Sequence, residues 1–285
     1  MTSILKSILL ATFVITLPSV KALADVTSQQ VWDGLRTAMV ASGFKLRAYE
    51  TRNGTRLTIG DLQINKRFQD PGGDASGTIS LSVSSLQFLD KGNGKVNIVF
   101  PEKIPVILRS NSPNDGAFEV QLNLTQRNLV ITASGKPDEL RHDYAAETVG
   151  LNLGKFVLDG TEVPGTDVLA ELDIHDITGT SIRTLRTDRN YTQNLSIGRM
   201  SYQGSMSIPS ADETRYNFSG QTTGLEFTGT TALPVILNWS DPLAVLTAGA
   251  SFDADWRYDR AEGDMSSVEG GEKFQQSSEI TAGSG

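Results

Sequence analysis

Residues 45–64 read K-L-R-A-Y-E-T-R-N-G-T-R-L-T-I-G-D-L-Q-I, and the Asn53-Gly54 pair at their centre decides how the whole chain is read. Asn-Gly supplies the two left-handed residues of a tight hairpin turn. Residues 45–51 and 55–64 are therefore predicted to be antiparallel strands. Asn93-Gly94 divides 78–89 from 95–100 in the same way, and Asp115-Gly116 divides 104–109 from 117–124. Alternation predicts further strands at 128–133, 141–146, 148–158, 167–178, 181–187, 190–200, 202–208, 214–220, 225–230 and 251–258. The positions between the apolar ones are mostly Thr, Ser, Asn and Gln, as in antiparallel sheets with one solvated face. Short sequential connections favour a meander.

Two helices interrupt this pattern. Thr27-Ser28-Gln29-Gln30 has the spacing of a capping box, with Val31, Leu35, Ala38 and Met39 as an apolar stripe and Gly43 as a stop. Asp241, Pro242 and Gly249 predict a short helix near 241–249. The predicted fold is mainly β: an extended, twisted antiparallel meander with an N-terminal amphipathic helix and that one short helix.

The opening stretch also breaks its own alternation. Leu57-Thr-Ile59-Gly-Asp-Leu62 puts two polar residues where a strand expects one. Residues 81–86, 151–156, 172–177 and 195–200 share this order, with Gly60, Ser84, Gly154, His175 and Gly198 in the fourth place. A β-bulge at each is the expectation, with glycine serving its backbone. This bears on A-E-L-D-I-H-D-I-T at 170–178, where Glu171, Asp173 and His175 have the i, i+2, i+4 spacing of one strand face. A bulge would spoil their alignment, and transition-metal sites need three or four ligands. His142 stands on another segment, beside Asp143, which would face the opposite side of a strand. No metal, cofactor or catalytic residue is assigned.

The chain has 285 residues, 38% of them hydrophobic, and no cysteine. Disulfides and thiolate chemistry are excluded. Met1–Ala24 has a short n-region with Lys6, an apolar run at 8–20 and Ala22-Leu23-Ala24 as a cleavage site, the layout of a secretory signal. Cleavage between Ala24 and Asp25 would give a periplasmic or secreted protein; a retained leader would be an anchor. Cleavage removes Lys6 and Lys21 and no acid, moving the formal charge from −8 to −10. So acidic a chain is a poor partner for nucleic acid. Residues 25–258 are read as a single β-rich domain. Residues 259–285 are read as a polar acidic tail, either disordered or the start of a missing C-terminal portion.

Phe118, Val120, Leu122, Leu124, Leu151, Leu153, Leu172 and Ile174 would line either a plain closed core or an open groove for a lipid or other apolar envelope ligand. Apolar stripes ordinarily just pack. Two alternatives stand beside the groove: an envelope module recruiting a protein partner by strand addition, and a carboxylate-dependent hydrolase of envelope glycans or peptides. No catalytic motif favours the last.

The start of the mature chain, Ala24-Asp25-Val26-Thr27-Ser28-Gln29-Gln30-Val31-Trp32, followed by many short amphipathic strands, resembles the exported alphaproteobacterial domain-of-unknown-function family DUF2125. That resemblance implies a periplasmic protein and transfers no catalytic residue. Family members are generally longer, so it also implies a truncated member. Intact mass of the protein exported from a bacterial host should correspond to a chain beginning at Asp25. A mass that retains Met1–Ala24 would instead show the leader kept.

Overall fold

The computed structural model describes residues 26–69, 76–112, 116–165, 167–185, 189–208, 214–233 and 249–284. The leader and most of the predicted 241–249 helix lie outside these residues. After helix α1 (Ser28–Ala41) come β1 (Lys45–Asn53), β2 (Arg56–Gln69), β3 (Ser76–Gly92), β4 (Lys95–Val99), β5 (Lys103–Ser112), β6 (Gly116–Arg127) and β7 (Val130–Lys136). Then follow β8 (Glu139–Leu158), β9 (Thr161–Val163), β10 (Val168–Leu185), β11 (Arg189–Ile208), β12 (Thr214–Leu233), β13 (Ser251–Glu269) and β14 (Glu272–Ser284). All fourteen strands form one antiparallel sheet.

The apparent branches of that sheet are interruptions. β3 pairs along one edge with β4 at residues 87–92 and with β5 at 76–81, so β4 and β5 are one broken ribbon. β6 and β7 make a second such ribbon between it and β8, and β9 continues into β10. Eleven ribbons remain, each beside its neighbour in sequence, which is a pure meander.

The interruptions fall on one line. Ladder pairing lapses at Asp61 of β2, Ser84 of β3, residues 100–102, residues 128–129, Glu147 of β8, Asp176 of β10, Gly198 of β11, Gly224 of β12 and Asp259 of β13. Four of the five sequence segments with two consecutive polar residues sit on this crease. The extra residue shifts the parity of the alternation, so Leu57 and Ile59 on one side share a face with Leu62 on the other, and all three are buried. Because neighbouring ribbons both carry the extra step, the register is the same on either side: Gly60 pairs Ser85 and Leu62 pairs Val83. β1 does not follow it, and there a register shift appears, between Arg47 and Tyr49.

Two expectations are corrected here. The left-handed backbone lies one residue after the fourth position, at Asp61 (φ 49°) and Asp176 (φ 55°), with Asn128 (φ 55°) and Gly224 (φ 64°) on the same line. Short polar side chains tolerate this conformation, and glycine does so without cost. The fifth segment is separate: a shift between Gln121 and Leu122 makes Gly154 the extra residue of a local bulge.

Residues 259–284 also differ from the expected tail. They complete β13 and form β14, joined by a Gly270-Gly271 turn with φ of 57° and 83°. Sparse apolar residues hid the alternation, while the Gly-Gly pair was an available hairpin signal.

Helix α1 begins as its sequence dictates. Thr27 Oγ1 accepts from the Gln30 amide at 3.3 Å, and Gln30 Oε1 accepts from the Thr27 amide at 2.9 Å. Ser28 anchors the first turn to the sheet: its amide and hydroxyl both donate to Asp90 Oδ1 at 2.8 Å. Trp32 packs on Phe88 with ring centroids 6.0 Å apart and donates from Nε1 to Glu50 at 2.7 Å. Val31, Trp32, Leu57, Ile59, Leu86, Phe88, Val96, Ile98, Ala133 and Leu140 form the core beneath the helix. Arg183 of β10 reaches the helix from the far side, donating to Gly34 O at 3.2 Å.

Phe88→Ala should cost about 3–5 kcal/mol, because the ring is fully buried between helix and sheet. Gly224→Val should cost about 2 kcal/mol or more, because a Cβ there needs φ +64° and would meet the Asp259 carboxylate at 2.1 Å. Chemical denaturation of each variant measures both losses.

Candidate functional site: the uncovered apolar face

The sheet face that carries α1 continues far beyond it. Side chains opposite each other in an antiparallel register share a face. Leu124, Leu151, Leu172 and Tyr202 thus form one row across β6, β8, β10 and β11. Leu122 pairs Leu153, Val120 pairs Phe156, Phe118 pairs Leu158, and Val149 and Met200 flank Ile174. All eight apolar residues singled out in the sequence therefore lie on one face. None belongs to the buried core. Leu124 packs against it, Phe118 is exposed, and the other six are half-buried.

Twelve of the sixteen large hydrophobic side chains exposed among the described residues lie on this face: Phe68, Phe118, Leu158, Tyr202, Met206, Tyr216, Phe218, Phe252, Trp256, Met265, Phe274 and Ile280. Sequence reading missed most of these, because a strand's alternation shows which residues share a face but not whether anything covers it. Beyond Leu140, the buried hydrophobic side chains of the described residues are only Ala146 and Ile197.

On the side of the crease away from the helix, the face is a broad floor. It spans the ten ribbons from β2 to β14, about 45 Å at ordinary strand spacing, and about 25 Å along each ribbon. That footprint is roughly 1,000 Å²; apolar side chains and glycines dominate it from β3 to β11, while Thr214, Thr222, Ser267, Gln276 and Ser278 alternate with the apolar residues of β12–β14. Several aromatic rings lie down over glycines of the neighbouring ribbon. A Cβ at Gly204 would meet the Phe218 ring at 2.2 Å, and one at Gly220 would meet the Tyr202 hydroxyl at 2.4 Å. The rings consequently pave the floor instead of filling the space above it.

The outer face holds a different concavity, a trough of about 470 Å³ lined by Glu171, Asp173, Gln203, Gln221, Glu262 and Asp264. Contrary to expectation, register runs unbroken from Glu171 to His175, so these side chains do share a face. Their polar groups are engaged with one another. Gln203 donates to Glu171, Gln221 donates to Glu262, and Ser277 donates to Asp264 at 2.6 Å. His175 Nδ1 lies 3.4 Å from the Thr148 hydroxyl. Among the described residues no three His, Asp or Glu side chains are grouped to hold a metal ion.

Among the described residues, the carboxylates whose titration is displaced are displaced downward. The Trp32 indole holds Glu50 low, Gln121 and Arg109 hold Glu119 low, and Arg141 holds Asp143 low. A general acid needs the opposite shift. No helix of the described residues is long and apolar enough to cross a membrane. Comparison of the chain with protein families, curated proteins and solved structures returns no match.

His142 lies on the inner face between Ala133 and Ser181, while Asp143 turns outward to Arg141 and Thr180. Burial, then the nearby Arg183, pushes the imidazole below its ordinary pKa of 6.5. The unfolded chain takes up this proton first. Stability is therefore fully present above pH 6.5 and falls as pH drops below it toward the depressed folded value. Denaturation midpoints should decline between pH 7.5 and pH 5, and His142→Gln should flatten that decline.

Proposed function

We propose that this chain is an exported, non-enzymatic protein of the cell envelope that binds the hydrocarbon part of a lipid or other amphipathic ligand on the apolar floor. One observation carries the reading: among the described residues, nothing covers the apolar side chains that β6, β8, β10 and β11 present on the face of the helix-capped core. Export rests on the leader-like composition of Met1–Ala24. The resemblance of the segment from Ala24 to Trp32 to DUF2125 points to the same compartment.

The chemistry of the floor favours hydrocarbon over protein. Protein interfaces carry about one hydrogen bond per 100–200 Å² and a polar rim. From β3 to β11 the inward positions are mainly Leu, Ile, Val, Phe, Met and Gly, whereas on β12–β14 Thr214, Thr222, Ser267, Gln276 and Ser278 alternate with them. An acyl chain asks for no hydrogen bond and gains about 0.8 kcal/mol for each CH₂ it buries.

A second reading, a protein-interaction module, draws on the edge strand β14. Among the described residues it pairs with β13 alone, in twelve residue pairs that lapse only at Asp259 and keep one register. Such an edge invites strand addition. The opposite edge, β1, is shorter, rich in charge and bulged.

Native mass spectrometry of the protein purified from the periplasm, followed by organic extraction, tests the first reading. A lipid-sized adduct that leaves with solvent is expected. Leu153→Lys should abolish the adduct while shifting the denaturation midpoint little, because Leu153 is half-buried and outside the core. A clean apo mass for the unaltered protein would overturn a stably loaded carrier and leave the edge-strand module in front.

A further inference from the structure

Strand β14 is an edge without the guards that edges usually carry. Proline, a bulge, lysines or a very short strand ordinarily keep such edges from pairing. Residues 272–281 pair in unbroken succession with β13, all of them are exposed, and none is proline. The middle of the strand, Gln275-Gln276-Ser277-Ser278, is uncharged, and its amides and hydroxyls suit hydrogen bonding across a strand pair. The other edge, β1, is bulged between Arg47 and Tyr49 and carries Lys45, Arg47, Glu50 and Arg52.

The strand is also complementary to itself. Its two large apolar side chains, Phe274 and Ile280, share the inner face, stand at equal distances either side of Ser277, and are 50% and 56% exposed. An antiparallel pair of identical strands with its two-fold axis at Ser277 sets Phe274 of each copy opposite Ile280 of the other. Gln275 then faces Glu279, amide to carboxylate, Gln276 faces Ser278, and no like charges meet. Moving the axis to Gln276 sets Ile280 against Glu272, and moving it to Ser278 sets Ile280 against Gln276. Apolar pairing therefore singles out the register about Ser277. A two-fold axis between antiparallel strands stands perpendicular to their sheet, so the inner face of one copy continues into the inner face of the other.

We propose that two copies of this chain join through β14, antiparallel about Ser277, into one continuous sheet. This rests on the reading of β14 as an open edge and names the partner that edge takes, a second copy. An isologous contact of this kind closes on itself, so association stops at the dimer instead of running on as a filament. Phe274 and Ile280 gain cross-strand neighbours on their second side, and the apolar floors of the two copies meet at the seam. The open face of the dimer is twice as wide as that of one chain.

Sedimentation velocity of the full chain over a concentration series is expected to show a monomer–dimer equilibrium and no larger species. Ser277→Lys should leave monomer alone, since two ammonium groups would face each other on the axis. Within one chain that position is exposed beside Asp264, so the variant should keep the denaturation midpoint of the unaltered protein. The chain has no cysteine, and Ser277→Cys should therefore give a disulfide-linked dimer on mild oxidation. Lys273→Cys should not, because residue 273 would face Thr281 of the second copy and lie about 26 Å from its own counterpart. A dimer that survives Ser277→Lys, or equal cross-linking through either cysteine, overturns this pairing. A chain that stays monomeric overturns self-association, and hydrogen exchange then separates the two failures. Fast exchange at alternate β14 amides leaves the open edge standing for another partner, whereas protection of every β14 amide overturns the edge reading as well.

Discussion

One constraint governs this sheet: a ribbon that takes an extra residue must be matched by its neighbour at the same line. An extra residue exchanges the two faces of a strand. Were one central ribbon to lack it, that ribbon's apolar side chains would point to opposite faces on the two sides of the crease. Asp61, Ser84, Glu147, Asp176, Gly198, Gly224 and Asp259 meet this requirement together, each with its neighbour's step beside it. The apolar face stays continuous from β2 to β14 although nearly every ribbon changes parity. The crease residues are polar because backbone groups that leave the ladder there need water or short side chains as partners.

The same continuity makes the molecule asymmetric. One helix cannot cover eleven ribbons. Helix α1 seats its Val31 and Trp32 on β1, β2 and β3, fixed by Ser28 on Asp90 and by Arg183 on Gly34. The residues beneath it are almost fully buried, whereas Phe118, Phe218 and Phe252 on the same face stand 40%, 47% and 70% exposed. The stability of the fold is thus concentrated toward one side, and the remainder of the face is held in place mainly by ladder hydrogen bonds and ring-on-glycine packing.

Much of this was legible in the chain. The Asn-Gly turns, the alternation and the capping box named the meander and its helix, because turn chemistry and capping are local. The motif with two consecutive polar residues was visible too, but as five separate bulges. Only pairing showed that four of them are one line and that Gly154 belongs to another irregularity. The C-terminal hairpin was misread as a tail because Met265, Phe274 and Ile280 are too widely spaced to reveal a period by themselves. Its Gly270-Gly271 turn carried the needed signal.

Sequence by itself determined most of the strands and turns as far as residue 258, and the alternation within each, since these follow from periods of two and from backbone preferences over a few residues. It also set aside thiolate chemistry, because the chain has no cysteine. Only the tertiary structure decided which part of the shared face is closed. Leu86 and Leu153 look alike in their strands, yet one is buried in the core cluster that includes Trp32 and the other is half-buried outside it. Burial there depends on where helix α1, of fourteen residues, comes to rest. That is a matter of long-range packing, which no local pattern encodes.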